Sequence, residues 1–213
     1  MRLIPEIVAH ATELTAIRRD IHAHPEIGFQ ELRTSALVAD FLRNWGVDEV
    51  ASGIGKTGVV GVIHGKAPGR TVGLRADMDA LPMQEQANLE YASRVDGVFH
   101  GCGHDGHTTM LLGAAKYLAE TRNFPGKVHL IFQPAEEGLA GATAMIADGL
   151  FERFPCDEIY ALHNWPNADL GWVGATPGVA MAASNNFDIA IEGRGAHGAM
   201  PHQSVDPVMV AVT

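Results

Sequence analysis

The chain has 213 residues, 46% hydrophobic and 19% charged, which is globular composition and argues against disorder. A formal charge of −10 leaves no basic face for a nucleic-acid partner, and no apolar run approaches the roughly 20 residues of a membrane span. Eleven histidines against 15 Lys plus Arg are a mild prior for metal chemistry.

From Pro5 the apolar residues Ile7, Ala11, Leu14, Ile17 and Ile21 recur at helical spacing, and Pro25 closes the segment. A second helix is expected from about Glu31 to Trp45. Leu37, Phe41 and Trp45 form one stripe, Val38 and Leu42 adjoin it, and Gly46 supplies the stop. Four short apolar runs then predict buried strands: GVVGVI (58–63), TVGLRA (71–76), KVHLIF (127–132) and EIYALH (158–163). Between the second and third a helix begins near Asp105 and runs through TTMLLGAAKYLAE, and another covers 142–151. This alternation predicts an α/β domain with a mixed, largely parallel sheet between helices.

After Gly171 the texture changes. GWVGATPGVAMAA and NNFDIAIEGRG predict strands of a more alternating kind, so a domain boundary is placed near Ser184, dividing the chain into 1–184 and 185–213. SVDPVMVAVT predicts a helix just starting at the last residues, which suggests a C-terminally truncated chain. The two cysteines, Cys102 and Cys156, imply no disulfide framework, and the first residues do not read as a signal peptide. A reducing cytoplasm is the expected location.

Polar clusters stand just past the predicted strands. Asp77 and Asp79 follow the second, Glu136 and Glu137 the third, and His163 ends the fourth. If these strands run parallel, the clusters meet the loop HGCGHDGH (100–107) on one rim, where open α/β sheets collect ligands. Cys102, His104, Glu137 and His163, with Glu136 beside them, suit zinc or a similar divalent ion. Of two neighbouring glutamates one can bind metal while the other stays free as a base for water, which is a hydrolase arrangement. Taken singly, each residue has an ordinary reading: an inert thiol, a core histidine, a solvated acid pair, a turn cap at Asp77 and Asp79. Their recurrence on one rim is what weakens those readings together. His22 and His24 are expected to shape a helix end and Cys156 to be structural, while His100 and His107 receive no role.

The motifs LRADMDALP (74–82), GCGHDGHTTMLLGAA (101–115), FQPAEEG (132–138), ALHNWP (161–166) and GAHGAMPHQSVDP (195–207) resemble the aminoacylase–carboxypeptidase superfamily of two-metal amidohydrolases. The opening RRDIHAHPEIGFQE (18–31) resembles its branch of hippurate hydrolases, N-acyl-amino-acid amidohydrolases and auxin-conjugate hydrolases. The resemblance implies a zinc-peptidase-like catalytic domain in 1–184 and the beginning of an inserted α+β lid and dimerisation domain in 185–213. It implies Cys102 as a thiolate bridging two metals, with His104, Glu137 and His163 as further ligands. Glu136 would be the general base, and Asp79 would orient the site. His197 would reach across a homodimer to stabilise the oxyanion. Two divalent ions are implied, zinc preferred over manganese, cobalt or nickel, with a small N-acyl amino acid as substrate.

The resemblance also implies a last metal-binding histidine after the inserted domain, beyond Thr213. A chain that ended there would be expected to bind one metal incompletely and to expose a strand edge. A dipeptidase or carboxypeptidase of the same superfamily, or a non-catalytic fragment, are the alternatives.

Overall fold

The computed structural model describes residues 3–182 and 187–213, so the expected boundary at Ser184 lies outside the described residues. The chain divides into two compact units, Met1–Ala168 and Asp169–Thr213.

The first unit is built on five strands, β1 (Glu49–Ile54), β2 (Gly58–His64), β3 (Ala67–Asp77), β4 (Pro125–Gln133) and β5 (Glu158–Ala161), in the order β1-β2-β4-β3-β5. β2 is antiparallel to both neighbours, whereas β3 pairs parallel with β4 and with β5. The four expected strands are therefore β2 to β5 in a mixed sheet, but β5, at its edge, is half-buried to exposed rather than buried, because only β3 pairs with it. β1 carried no apolar signal, because EVASGI buries only Ile54 and rests on its pairing with β2.

Period-two alternation sorts the side chains of β2 and β4 between two cores. Val59, Ile63, Val128, Leu130 and Phe132 enter one core, and Val60, Val62 and Ile131 the other. The first core is covered by α2 (Ala11–Ala23), α3 (Leu32–Asn44) and α4 (His104–Thr121) through Ile17, Ile21, Val38, Leu42, Leu112 and Ala115. The stripe Leu37, Phe41 and Trp45 packs on its margin. The second is covered by α5 (Gly141–Ala147) and α6 (Leu150–Arg153) through Met145, Leu150 and Phe154. The one helix expected over 142–151 is thus two, separated by Gly149, and the first expected helix is α1 (Pro5–Ala9) followed by α2. Among the described residues no helix is long and apolar enough to cross a membrane.

The second unit contains a 3-10 turn (Pro201–Gln203) and α7 (Pro207–Ala211), the helix foreseen at the end of the sequence, with Asp206 accepting the Val208 N–H as its cap at 2.9 Å. The strands expected after Gly171 are not formed among the described residues, where an isolated bridge between Arg194 and Val205 is the pairing present. Phe187 and Ile189 are exposed there, and an apolar run becomes a strand only when a neighbour takes its backbone bonds and covers one face.

Candidate metal centre

Because β3, β4 and β5 are parallel, their carboxyl ends open on one rim. Asp77 and Asp79 leave β3, Glu136 and Glu137 follow β4, and His163 follows β5. α4 starts at the same rim, preceded by Cys102 and by Gly103 as its N-cap. Gly103 has φ +89, and a Cβ there would stand 2.4 Å from the Asn164 side-chain oxygen, so both conformation and space require glycine.

His104 is the hub. It is fully buried, and its Nδ1 donates to Asp79 Oδ1 at 3.1 Å, which leaves Nε2 to face inward. The other Asp79 oxygen accepts the Glu137 backbone N–H at 2.9 Å, so one carboxylate fixes a ring from α4 and the chain after β4. His104 Nε2 has no hydrogen-bond partner among the described residues, nor has Glu137 Oε1, and the two stand 3.8 Å apart. Glu136 Oε2 lies 4.0 Å from the same nitrogen on a side chain that is 41% exposed. Cys102 Sγ and His163 Nε2 stand 3.3 Å apart. Candidate ligand atoms of Cys102, His104 and His163 lie within 4.8 Å of one another, as do those of His104, Glu136 and Glu137.

A third group, Asp77, His104 and His107, converges within the same limit and brings in a histidine, His107, for which the sequence alone offers no role. His107 Nδ1 donates to Asp77 Oδ1 at 2.6 Å, and its Nε2 accepts the Asn164 backbone N–H at 3.1 Å. Asp77 also accepts from Arg75 at 2.8 Å. The sequence signal for His107 is its i, i+3 spacing from His104, which puts both on one face of α4.

The remaining residues fall elsewhere. His22 bonds Asp105 at 2.8 Å and Glu85 at 3.2 Å, and His24 bonds its own helix at Asp20 O. Cys156 lies 3.5 Å from His129. His197 belongs to the second unit, exposed, with its Nδ1 accepting from the Ala199 N–H at 3.2 Å.

The charges at the rim are what a cation would balance. Burial pushes the Cys102 thiol up to about 12, and Glu137, Glu136 and Asp77 push the same way. Burial works against ionisation of Asp77 too, but the His107 bond and the His104 and Arg75 charges outweigh it and hold the carboxyl at about 2. Burial likewise opposes ionised Asp79, whose bonds to His104 and to the Glu137 backbone keep it below the ordinary range. A thiol, imidazoles and carboxylates that converge with two buried polar atoms unmatched fit a divalent cation of the zinc type, which reverses such pKa logic.

Known proteins resemble the chain in sequence and in fold. The chain is 52% identical over 211 residues to hippurate hydrolase of Campylobacter jejuni, covering 99% of this chain and 55% of that protein. It is 46% identical over 200 residues to thermostable carboxypeptidase 1 of Saccharolobus solfataricus, covering 92% and 50% respectively. The chain thus spans about half the length of these relatives. The crystal structure of Bacillus subtilis YXEP, a dinuclear metal binding peptidase from the M20 family, superposes with a TM-score of 0.71 at 42% identity, covering 75% of this chain and 44% of that one. Residues 73–212 match the model of Peptidase family M20/M25/M40, and the chain belongs to that family.

Proposed function

We propose that the protein is a metal-dependent amidohydrolase that cleaves the amide of an N-acyl amino acid, hippurate or a related conjugate, into a carboxylic acid and an amino acid. The observation that carries this reading is the division of labour between two adjacent glutamates. Glu137 is half-buried and points an unmatched oxygen at His104, whereas Glu136 is exposed at the same distance range and free to work on a ligand.

Cys102, His104, Glu137 and His163 would hold divalent ions. Two are proposed, as in the dinuclear B. subtilis protein, with zinc preferred over manganese, cobalt or nickel because a thiolate is in the set. When bound, such ions supply Lewis-acid chemistry, polarising the amide carbonyl and acidifying water to near neutral pH. Asp79 keeps the His104 Nδ1 protonated, so Nε2 presents its lone pair. Glu136 takes a proton from the attacking water and returns it to the amide nitrogen as the C–N bond breaks. His197 of a second copy is assigned to the substrate carbonyl oxygen in a homodimer. A reducing cytoplasm is the proposed location, because it keeps the Cys102 thiol available as a ligand.

The test is a substrate panel on the native-length, zinc-loaded protein. Hippurate and other N-acyl amino acids should be hydrolysed at least tenfold faster, by kcat/KM, than unblocked dipeptides and peptide C-termini. The reverse ranking would move the assignment to a carboxypeptidase, the activity named for the S. solfataricus relative.

A further inference from the structure

The segment HPEIGFQE (24–31) takes no part in the site described above, yet it is wedged between the two strand ends that carry it. Ile27 forms a parallel bridge with Ala80, and the Ala80 N–H donates to Glu26 O at 2.8 Å, one residue from Asp79. The Glu26 carboxylate accepts the Arg33 and Thr34 N–H groups, at 2.9 and 2.8 Å, and so satisfies the start of α3. Gly28 lies against the other strand end: a Cβ there would meet Ala135 Cβ at 3.0 Å and Ala135 Cα at 3.1 Å.

Glu31 closes the wedge. It is fully buried, and it accepts from Thr57 Oγ1 at 2.6 Å and from the Ala135 N–H at 2.8 Å, across 104 residues of sequence. Ala135 is itself fully buried with φ +50, a left-handed conformation that a non-glycine residue holds only when its surroundings impose it. The next two residues are Glu136 and Glu137. Pro134 gives the turn no N–H to anchor it, so the Ala135 N–H is the first amide after β4 that an outside group can hold.

We propose that Glu31 is a positioning residue for the paired glutamates: its carboxylate fixes the left-handed turn at Ala135 and thereby sets where Glu136 and Glu137 point. The proposal rests on the amidohydrolase reading for the role of Glu136, while the part concerning Glu137 stands on metal binding alone.

The experiment compares wild type, Glu31→Gln and Glu31→Ala in the native-length protein, reading kcat and KM on hippurate, zinc affinity by chelator competition, and the unfolding midpoint. Glutamine keeps an oxygen for the Ala135 N–H and offers an amide N–H to Thr57 Oγ1. It should stay within about threefold of wild type in kcat and zinc affinity. Alanine frees the turn, and a displacement of about 1 Å at reacting groups costs on the order of a hundredfold. Glu31→Ala should therefore lose roughly ten- to a hundredfold in kcat with KM little changed, and about tenfold in zinc affinity, at temperatures where it remains folded.

A lowered midpoint with unchanged kcat and zinc affinity would reduce Glu31 to a structural residue and overturn the proposal. Should wild type hydrolyse no amide, the amidohydrolase reading falls and the zinc arm alone decides for or against Glu31. Should Glu31→Ala not fold, Glu31→Asp takes its place, since the shorter side chain keeps a carboxylate in the site but draws it back from the Ala135 N–H. Loss of kcat or of zinc affinity supports the proposal, and wild-type values in both overturn it.

Discussion

The rim of the sheet carries two kinds of site residue. Asp77, Asp79, His104 and His107 are at most 3% exposed and spend most of their polar atoms on one another or on the backbone. Cys102, Glu136 and His163 stand outward, from half-buried to exposed, with few bonds that fix them. The buried group is paid for by folding, because each member would be an unmatched polar group without its partner. The outer group is left free to meet a ligand. Substitutions in the two groups should therefore separate stability from binding and turnover.

The largest effect expected is at the most exposed acid. Glu136→Gln should lose about a hundred- to ten-thousandfold in kcat, the range for a placed general base. Its zinc content and unfolding midpoint should match wild type, since the side chain holds nothing else in place. Steady-state kinetics beside metal analysis checks this, and turnover within tenfold of wild type would remove Glu136 from the base role.

Asp79→Ala and His163→Ala set one member of each group against the other. Asp79 holds the His104 ring and the Glu137 backbone, so its loss should weaken zinc binding by roughly ten- to a hundredfold. It should also cost about 1–3 kcal/mol of stability in the zinc-free protein, because the buried His104 ring and the part-buried Glu137 N–H lose their acceptor. His163→Ala should weaken zinc binding comparably and leave zinc-free stability within about 0.5 kcal/mol, as an exposed side chain does. Equal destabilisation by both variants would erase the distinction between the groups.

Gly103→Ala probes the join between them. A methyl group at φ +89 costs about 1–2 kcal/mol in the backbone alone. It must also displace Asn164, the residue after His163, from its place against His107. Denaturant unfolding should show that loss, and chelator competition a weaker zinc site. A variant with lower stability and unaltered affinity would mean that His163 does not depend on Asn164 for its place.

How much of this was legible in the sequence follows from what each contact depends on. The rim was readable because topology does the work: strands that run parallel must deliver Asp79, Glu137 and His163 to one side, whatever their detailed packing. The pairing of His107 with Asp77 depends on the register of α4 against β3, which Thr108 fixes by donating to Asp77 O at 2.8 Å, and periodicity carries no such information. β1 was missed because a ladder partner, not an apolar pattern, makes it a strand. The run NNFDIAIEGRG erred the other way, with strand-like composition and, among its described residues, an isolated bridge at Arg194 in place of a ladder. Glu31 was read as a helix start, and its bond to Ala135 became visible only in three dimensions.

The smallest effect expected is at that same residue, and its sign is informative. Burial raises the Glu31 pKa above its ordinary 4.5, against the pull of the Thr57 and Ala135 bonds, and the Asp79 charge adds to the rise. A carboxyl that holds its proton more tightly when folded contributes stability below the unfolded value, and that contribution is lost as pH rises through the folded one. Glutamine has no proton to lose and keeps the acceptor for Ala135. Glu31→Gln should therefore gain stability relative to wild type as pH rises from about 4.5 toward neutrality, with the difference level above the folded pKa. Urea unfolding of the two zinc-free proteins across pH 4 to 8 isolates the residue, since Asp79, whose charge acts on it, is held below the ordinary carboxylate range and stays ionised there in both. A difference that shrinks with rising pH would mean that the buried carboxylate is stabilised by its charge, and the turn at Ala135 would then depend on an anion rather than on an acceptor oxygen.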